Sequence, residues 1–98
     1  MSGPDSGAAS ARRSVTIVNQ KGLHARAAAK FVRLAQTFEG TLKVTAKGQT
    51  VSGHSLMGLM LLAAGPGTRL EIVAEGADAH RAVAALVKLV EDKFDEGA

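Results

Sequence analysis

A chain of 98 residues is long enough for one small domain with one modest core. Apolar residues make up 46% of it, its only aromatics are three Phe, and it has no cysteine, which excludes disulfides, thiol catalysis and thiolate metal sites. Net charge is +3, from twelve Lys/Arg against nine Asp/Glu. Without Tyr, Trp or a dense basic cluster, that mild excess fits an acidic protein partner better than nucleic acid.

His24, His54 and His80 include no pair at metal-ligand spacing, so neither metal nor cofactor is expected. The longest apolar run, residues 59–64, is far too short to span a bilayer, and no apolar stretch of signal-peptide type follows Met1. A cytoplasmic monomer without membrane insertion is the expectation.

In chain order, residues 1–13 are small and polar and are expected to form a disordered extension, with one domain over 14–98. Val15-Thr16-Ile17-Val18 is β-branched and alternates, which predicts a first strand. Turn residues follow at 19–22. Ala28, Phe31, Val32 and Ala35 then recur at helical spacing, predicting a helix over about 25–37 whose opposite face carries Arg26, Lys30 and Arg33. Residues 41–46 alternate, Lys47-Gly48 is a tight turn, and 49–52 return as a short strand, which together read as a hairpin. Ser55 opens a short apolar helix over 56–62, ended by Gly65-Pro66-Gly67.

Residues 69–75 alternate again and predict a fourth strand. Asp78 is placed to cap a third helix, whose apolar face is Val83, Leu86, Val87, Val90 and Phe94. Its acidic tail, residues 91–96, opposes the helix dipole and is expected to fray. The order βαββαβα, with every strand apolar on one face, predicts an α+β two-layer open-faced sandwich: a four-stranded antiparallel sheet covered on one side by three helices.

The most informative stretch is Gly22-Leu23-His24-Ala25-Arg26, running into an alanine-rich helix. A helix start exposes unpaired N–H groups and partial positive charge, and so favours phosphate. An imidazole there offers a ring nitrogen that can accept a phosphoryl group, and free imidazole, with a pKa of about 6.5, is largely unprotonated at neutral pH.

Together with Ser55-Leu56-Met57-Gly58-Leu59-Met60, this stretch resembles the HPr family, the histidine-containing phosphocarriers of the bacterial phosphoenolpyruvate-dependent phosphotransferase system. The resemblance covers about residues 14–94. It implies sheet order 1-4-2-3. It also implies that His24, through Nδ1, takes a phosphoryl group from phospho-enzyme I and gives it to an enzyme IIA-type acceptor. The chain is then a carrier intermediate rather than an independent catalyst. Arg26 matches the family's active-site arginine. Ser55 matches the serine modified by HPr kinase/phosphorylase in bacteria that have that enzyme. The family usually has proline after the arginine, and here Ala27 restores an N–H donor. That variant most resembles HPr proteins of alphaproteobacteria, which often serve a nitrogen-related regulatory branch. The alternative output is therefore that of a regulatory adaptor, binding partners according to its phosphorylation state, rather than sugar uptake.

A lone histidine near a helix cap is ordinarily a solvated side chain, and the motif context is what overturns that reading for His24. A serine at Ser55 is explained by capping alone, and phosphorylation there would add about −2 charge. A helix as short and apolar as 56–62 cannot bury every side chain. Leu56, Met57 and Met60 are thus expected to form a docking patch next to His24, with Ser55 as the switch beside it and Ala25, Ala29, Lys30 and Arg33 as the rest of the partner face.

Overall fold

A computed structural model describes residues 9–96. Four strands, β1 (Ser10–Thr16), β2 (Thr41–Ala46), β3 (Gln49–Ser52) and β4 (Arg69–Glu75), form one antiparallel sheet ordered β1-β4-β2-β3. Three helices, α1 (Ala25–Ala35), α2 (Leu56–Leu61) and α3 (Ala79–Glu91), complete the βαββαβα order. Alternation decides the layers. Leu42, Val44 and Ala46 of β2, with Leu70, Ile72 and Ala74 of β4, are buried on one face. Thr41, Lys43 and Glu75 point to solvent on the other. Phe31, Val83, Leu86 and Val90, all fully buried, supply the helical side of that core. Each such side chain contributes about 1.5–3 kcal/mol by leaving water. No helix among the described residues is long and apolar enough to cross a membrane.

Several boundaries differ from the sequence reading, each for a local reason. β1 begins at Ser10, not after residue 13, because β4 is long enough to pair with it back to Ser10↔Glu75. Residues 10–13 have no β-branched side chain to announce a strand, so it is backbone pairing that orders them. The remainder of the expected extension, residues 1–8, lies outside the described residues. Helix α1 stops at Ala35, where the chain tightens through Thr37 N→Leu34 O (3.0 Å) and Phe38 N→Ala35 O (3.2 Å). Asp78 occupies the N-cap position of α3 without capping it. Its carboxylate instead accepts from Glu39 N (3.0 Å) and Arg81 (3.1 Å).

The tail departs most from expectation. Helix α3 ends at Glu91, and Lys93, Phe94 and Asp95 follow with φ of 58°, 54° and 62°. Phe94 is still fully buried, but a left-handed turn delivers it to the core rather than a continuing helix. Left-handed backbone costs a non-glycine residue about 1–2 kcal/mol, so other contacts must hold this turn.

The loop from β1 to α1 is held by close backbone approach. Gly22 has φ +64°, and a Cβ there would lie 2.4 Å from the Ala64 carbonyl oxygen. Next to it, Leu23 N donates to Ala64 O at 2.8 Å. Gly22→Ala is expected to destabilise the domain by about 2–4 kcal/mol, the sum of φ strain and a backbone clash. Urea unfolding of both proteins measures it, and a loss under about 0.5 kcal/mol would show that the loop relaxes freely.

Candidate functional site

The site grows from the end of β1. Ile17 continues the pairing through Ile17 N→Thr68 O (2.9 Å) and Gly67 N→Ile17 O (2.8 Å). The chain then turns through Asn19, which is fully buried, and Gly22. This turn sets His24 at the N-cap of α1 with extended backbone, φ −77° and ψ 179°. Its carbonyl accepts the first helical bond, Ala28 N→His24 O at 2.8 Å. Its side chain does not cap, and the first turn holds no acidic residue. The opening N–H groups of α1 therefore keep their donor capacity and partial positive charge. Ser55 shows the contrast: its Oγ caps α2 by accepting from Gly58 N at 2.9 Å.

The imidazole is held on one side. Nε2 of His24 lies 2.5 Å from Oε2 of Glu96. Oε1 of that carboxylate accepts from Nδ2 of Asn19 at 3.1 Å, and the same Nδ2 donates to the Gly22 carbonyl at 2.9 Å. Both partners of Asn19 are pure acceptors, so its amide nitrogen must face them. Nδ1 of His24 has no hydrogen-bond partner among the described residues. The His24 side chain is 26% exposed and that of Glu96 14%.

Burial acts to raise the Glu96 carboxyl, but hydrogen bonds from His24 and Asn19, with attraction to His24 and Lys30, outweigh it and leave the group below its ordinary range.

Arg26 is exposed on the first turn of α1. With Gln20, Lys21, Lys30, Asp95 and Glu96 it lines an open cleft of about 330 Å³. Three cations in that wall suit an anion, and two acids moderate it. Of the residues expected on the partner face, Ala25 and Arg33 are exposed and Ala29 is half-buried. Lys30 is turned to another use: its ammonium donates to the Phe94 carbonyl at 2.6 Å and ties the tail to α1.

Leu56, Met57 and Met60 are 41%, 68% and 39% exposed, while Leu59 and Leu62 are buried beneath them. Leu61 and Val18 are also exposed, two apolar side chains that the sequence reading did not include. The segment that meets the His24 loop is the one just after α2, through Leu23 N→Ala64 O. Ser55 opens α2 at the end away from that junction.

A sequence model of the PTS HPr component phosphorylation site matches residues 11–92. The phosphocarrier protein HPr of Neisseria meningitidis is 44% identical over 86 residues, covering 88% of this chain and 97% of that protein. The chain belongs to the HPr family. The solved structure of HPr-C-His from Thermoanaerobacter tengcongensis superposes with a TM-score of 0.84 at 40% identity, covering 88% of this chain and 97% of the other. A phosphocarrier protein named NPr, from Shewanella violacea, is 40% identical over 86 residues, covering 88% of this chain and 94% of that protein. The protein is an HPr-type phosphocarrier of the phosphotransferase system, with the four-stranded 1-4-2-3 sheet of HPr structures.

Sequence reasoning missed Asn19 and Glu96. Asn19 read as turn chemistry, and nothing local says that a turn amide will be buried. Glu96 sat in a tail expected to fray. The available signal was Phe94, an apolar residue in register with α3 that could anchor whatever followed it.

Because the Glu96 carboxyl lies below its ordinary range when folded, its stabilising contact is fully present above the usual value of 4.5. The contact is lost only as pH falls through the lower folded value. Titration of the Glu96 side-chain carbonyl by carbon NMR is expected to give a midpoint below 4.5, and a midpoint at or above it would mean the tail is not docked.

Proposed function

We propose that His24 is the phosphoryl acceptor, taking the group at Nδ1 from phosphorylated enzyme I and handing it to an enzyme IIA-type acceptor. The observation that supports this best is the His24 ring itself. Its Nε2 edge is engaged while Nδ1, at an uncapped helix start, has no partner among the described residues. Phosphoryl transfer needs mostly positioning and charge stabilisation. The N–H groups of α1 and the Arg26 guanidinium would supply both, without a deep pocket that would retain the group. An exposed site suits a carrier, since two partners must reach the same atom in turn.

The exposed apolar side chains of α2, with Arg33 on α1, are the proposed partner surface, and basic charge at its rim would steer an acidic enzyme I. Phosphorylation of Ser55 would place about −2 charge at the start of α2, weakening that docking while a phosphate oxygen could still cap the helix. A second reading, output to a nitrogen-related regulatory branch, is favoured by the likeness to the Shewanella NPr.

The test is transfer in sequence. Phosphoenolpyruvate and enzyme I should label the protein, and added enzyme IIA should remove the label. Acceptors of the sugar and nitrogen branches tried separately distinguish the two outputs. His24→Ala should take up no label, and labelling of His24→Ala equal to wild type would remove the residue from the reaction. Arg26→Ala should fold normally and transfer about tenfold to a hundredfold more slowly, from roughly 1.5–3 kcal/mol for a hydrogen bond to a charged group. Equal rates would leave Arg26 a solvated surface residue.

A further inference from the structure

Glu96 lies beyond the last regular helix, yet the chain reaches it through three consecutive residues of left-handed backbone. Two anchors hold that turn: Phe94 is fully buried, and Lys30 donates to its carbonyl. Those anchors account for a tail that ends its business at Phe94. They do not account for a carboxylate two residues later with both oxygens engaged, Oε1 by the fully buried Asn19 and Oε2 by His24.

We propose that Glu96 is a positioning residue for His24: it holds the ring by Nε2–H, leaves Nδ1 as the lone-pair nitrogen facing outward, and stabilises the charge the ring gains on phosphorylation. This rests on the reading of His24 as the acceptor. A carboxylate can only accept, so an imidazole bonded to it must carry its proton on Nε2. The group's low protonation range keeps it a carboxylate at neutral pH.

The step balances as follows. The Nδ1 lone pair forms the N–P bond, and the bond from phosphorus to the donor protein breaks with its electron pair remaining on the donor. The ring, still protonated on Nε2, becomes positively charged, and Glu96 lies against that proton. Onward transfer returns the electron pair to Nδ1 and the ring to neutrality. A carboxylate serves imidazole in the same way in hydrolase triads, orienting the ring and stabilising its cation without taking the proton. The other charged groups around Glu96 are Lys30 and Arg26 from α1, Lys21 from the loop, and Asp95 from the tail.

The discriminating variant is Glu96→Gln in the full chain. An amide has one acceptor for two donors, and Asn19 cannot turn to help because its Nδ2 also serves Gly22. Two readouts decide. Nitrogen NMR of the His24 ring, in wild type at a pH where it is neutral, should show the Nε2–H tautomer, with the Nδ1–H form growing in Glu96→Gln. The initial rate of phosphorylation by enzyme I and phosphoenolpyruvate should fall about tenfold, as for loss of a histidine's orienting partner.

A wild-type ring protonated on Nδ1 overturns the proposal without any variant. So does an unchanged rate in Glu96→Gln, and so does a faster one, which would mark the tail as a plug. If wild type takes no phosphoryl group at all, it is His24 as acceptor that fails. The tautomer measurement, which needs no enzyme I, then judges the hold of Glu96 on the ring by itself.

Discussion

A sheet that is dry on only one face must be covered on that face, and most of this molecule follows from how the cover is connected. Neighbouring strands are all antiparallel, yet β1 and β2 are separated by β4. The chain must therefore leave the end of β1, cross the apolar face as α1, and return to begin β2. That crossing lifts the start of α1 to the end of the sheet, where Ala25 and Arg26 are exposed. The same geometry brings the end of α2 toward the start of β4, and the segment after it supplies the Ala64 carbonyl that holds Leu23. The site is a by-product of covering the core: Asn19 and Leu23 are buried in it, His24 and Glu96 are partly buried, and Arg26 is exposed.

Within that frame, the local chemistry is a balance between holding and releasing. A helix start with no acidic residue and an N-cap that does not cap would bind any anion firmly. The tail opposes this by bringing Asp95 and Glu96 into the same cleft as Lys21, Arg26 and Lys30. An acceptor that must also donate is better served by a mixed wall than by an all-basic one. The strain in residues 93–95 fits this arrangement, since the left-handed turn lets Phe94 stay in the core while Glu96 reaches back over α1.

The sequence was legible wherever a physical period or a local motif repeated. Strands β2 and β4 alternate cleanly, β3 follows the Lys47-Gly48 turn, all three stand at the expected positions, and the apolar faces of α1 and α3 are the buried ones. His24 at the helix start was legible because a glycine turn and an alanine-rich run bracket it. Features that depend on a distant partner were not. Residues 10–13 form a strand only because β4 is there to pair with them. Asp78 turns from its helix to the Glu39 amide, and Lys30 turns from the surface to the tail. Glu96 and His24 are 72 positions apart in the chain, and no spacing rule connects them.

The proposed acceptor atom is His24 Nδ1. The most direct measurement is phosphorus–nitrogen coupling in protein labelled with ¹⁵N and phosphorylated by enzyme I and phosphoenolpyruvate. A one-bond coupling from phosphorus to Nδ1 of His24 is the expected result. Coupling to Nε2, which is the edge held by Glu96, or phosphorus found as an acid-stable ester on another residue, would contradict it.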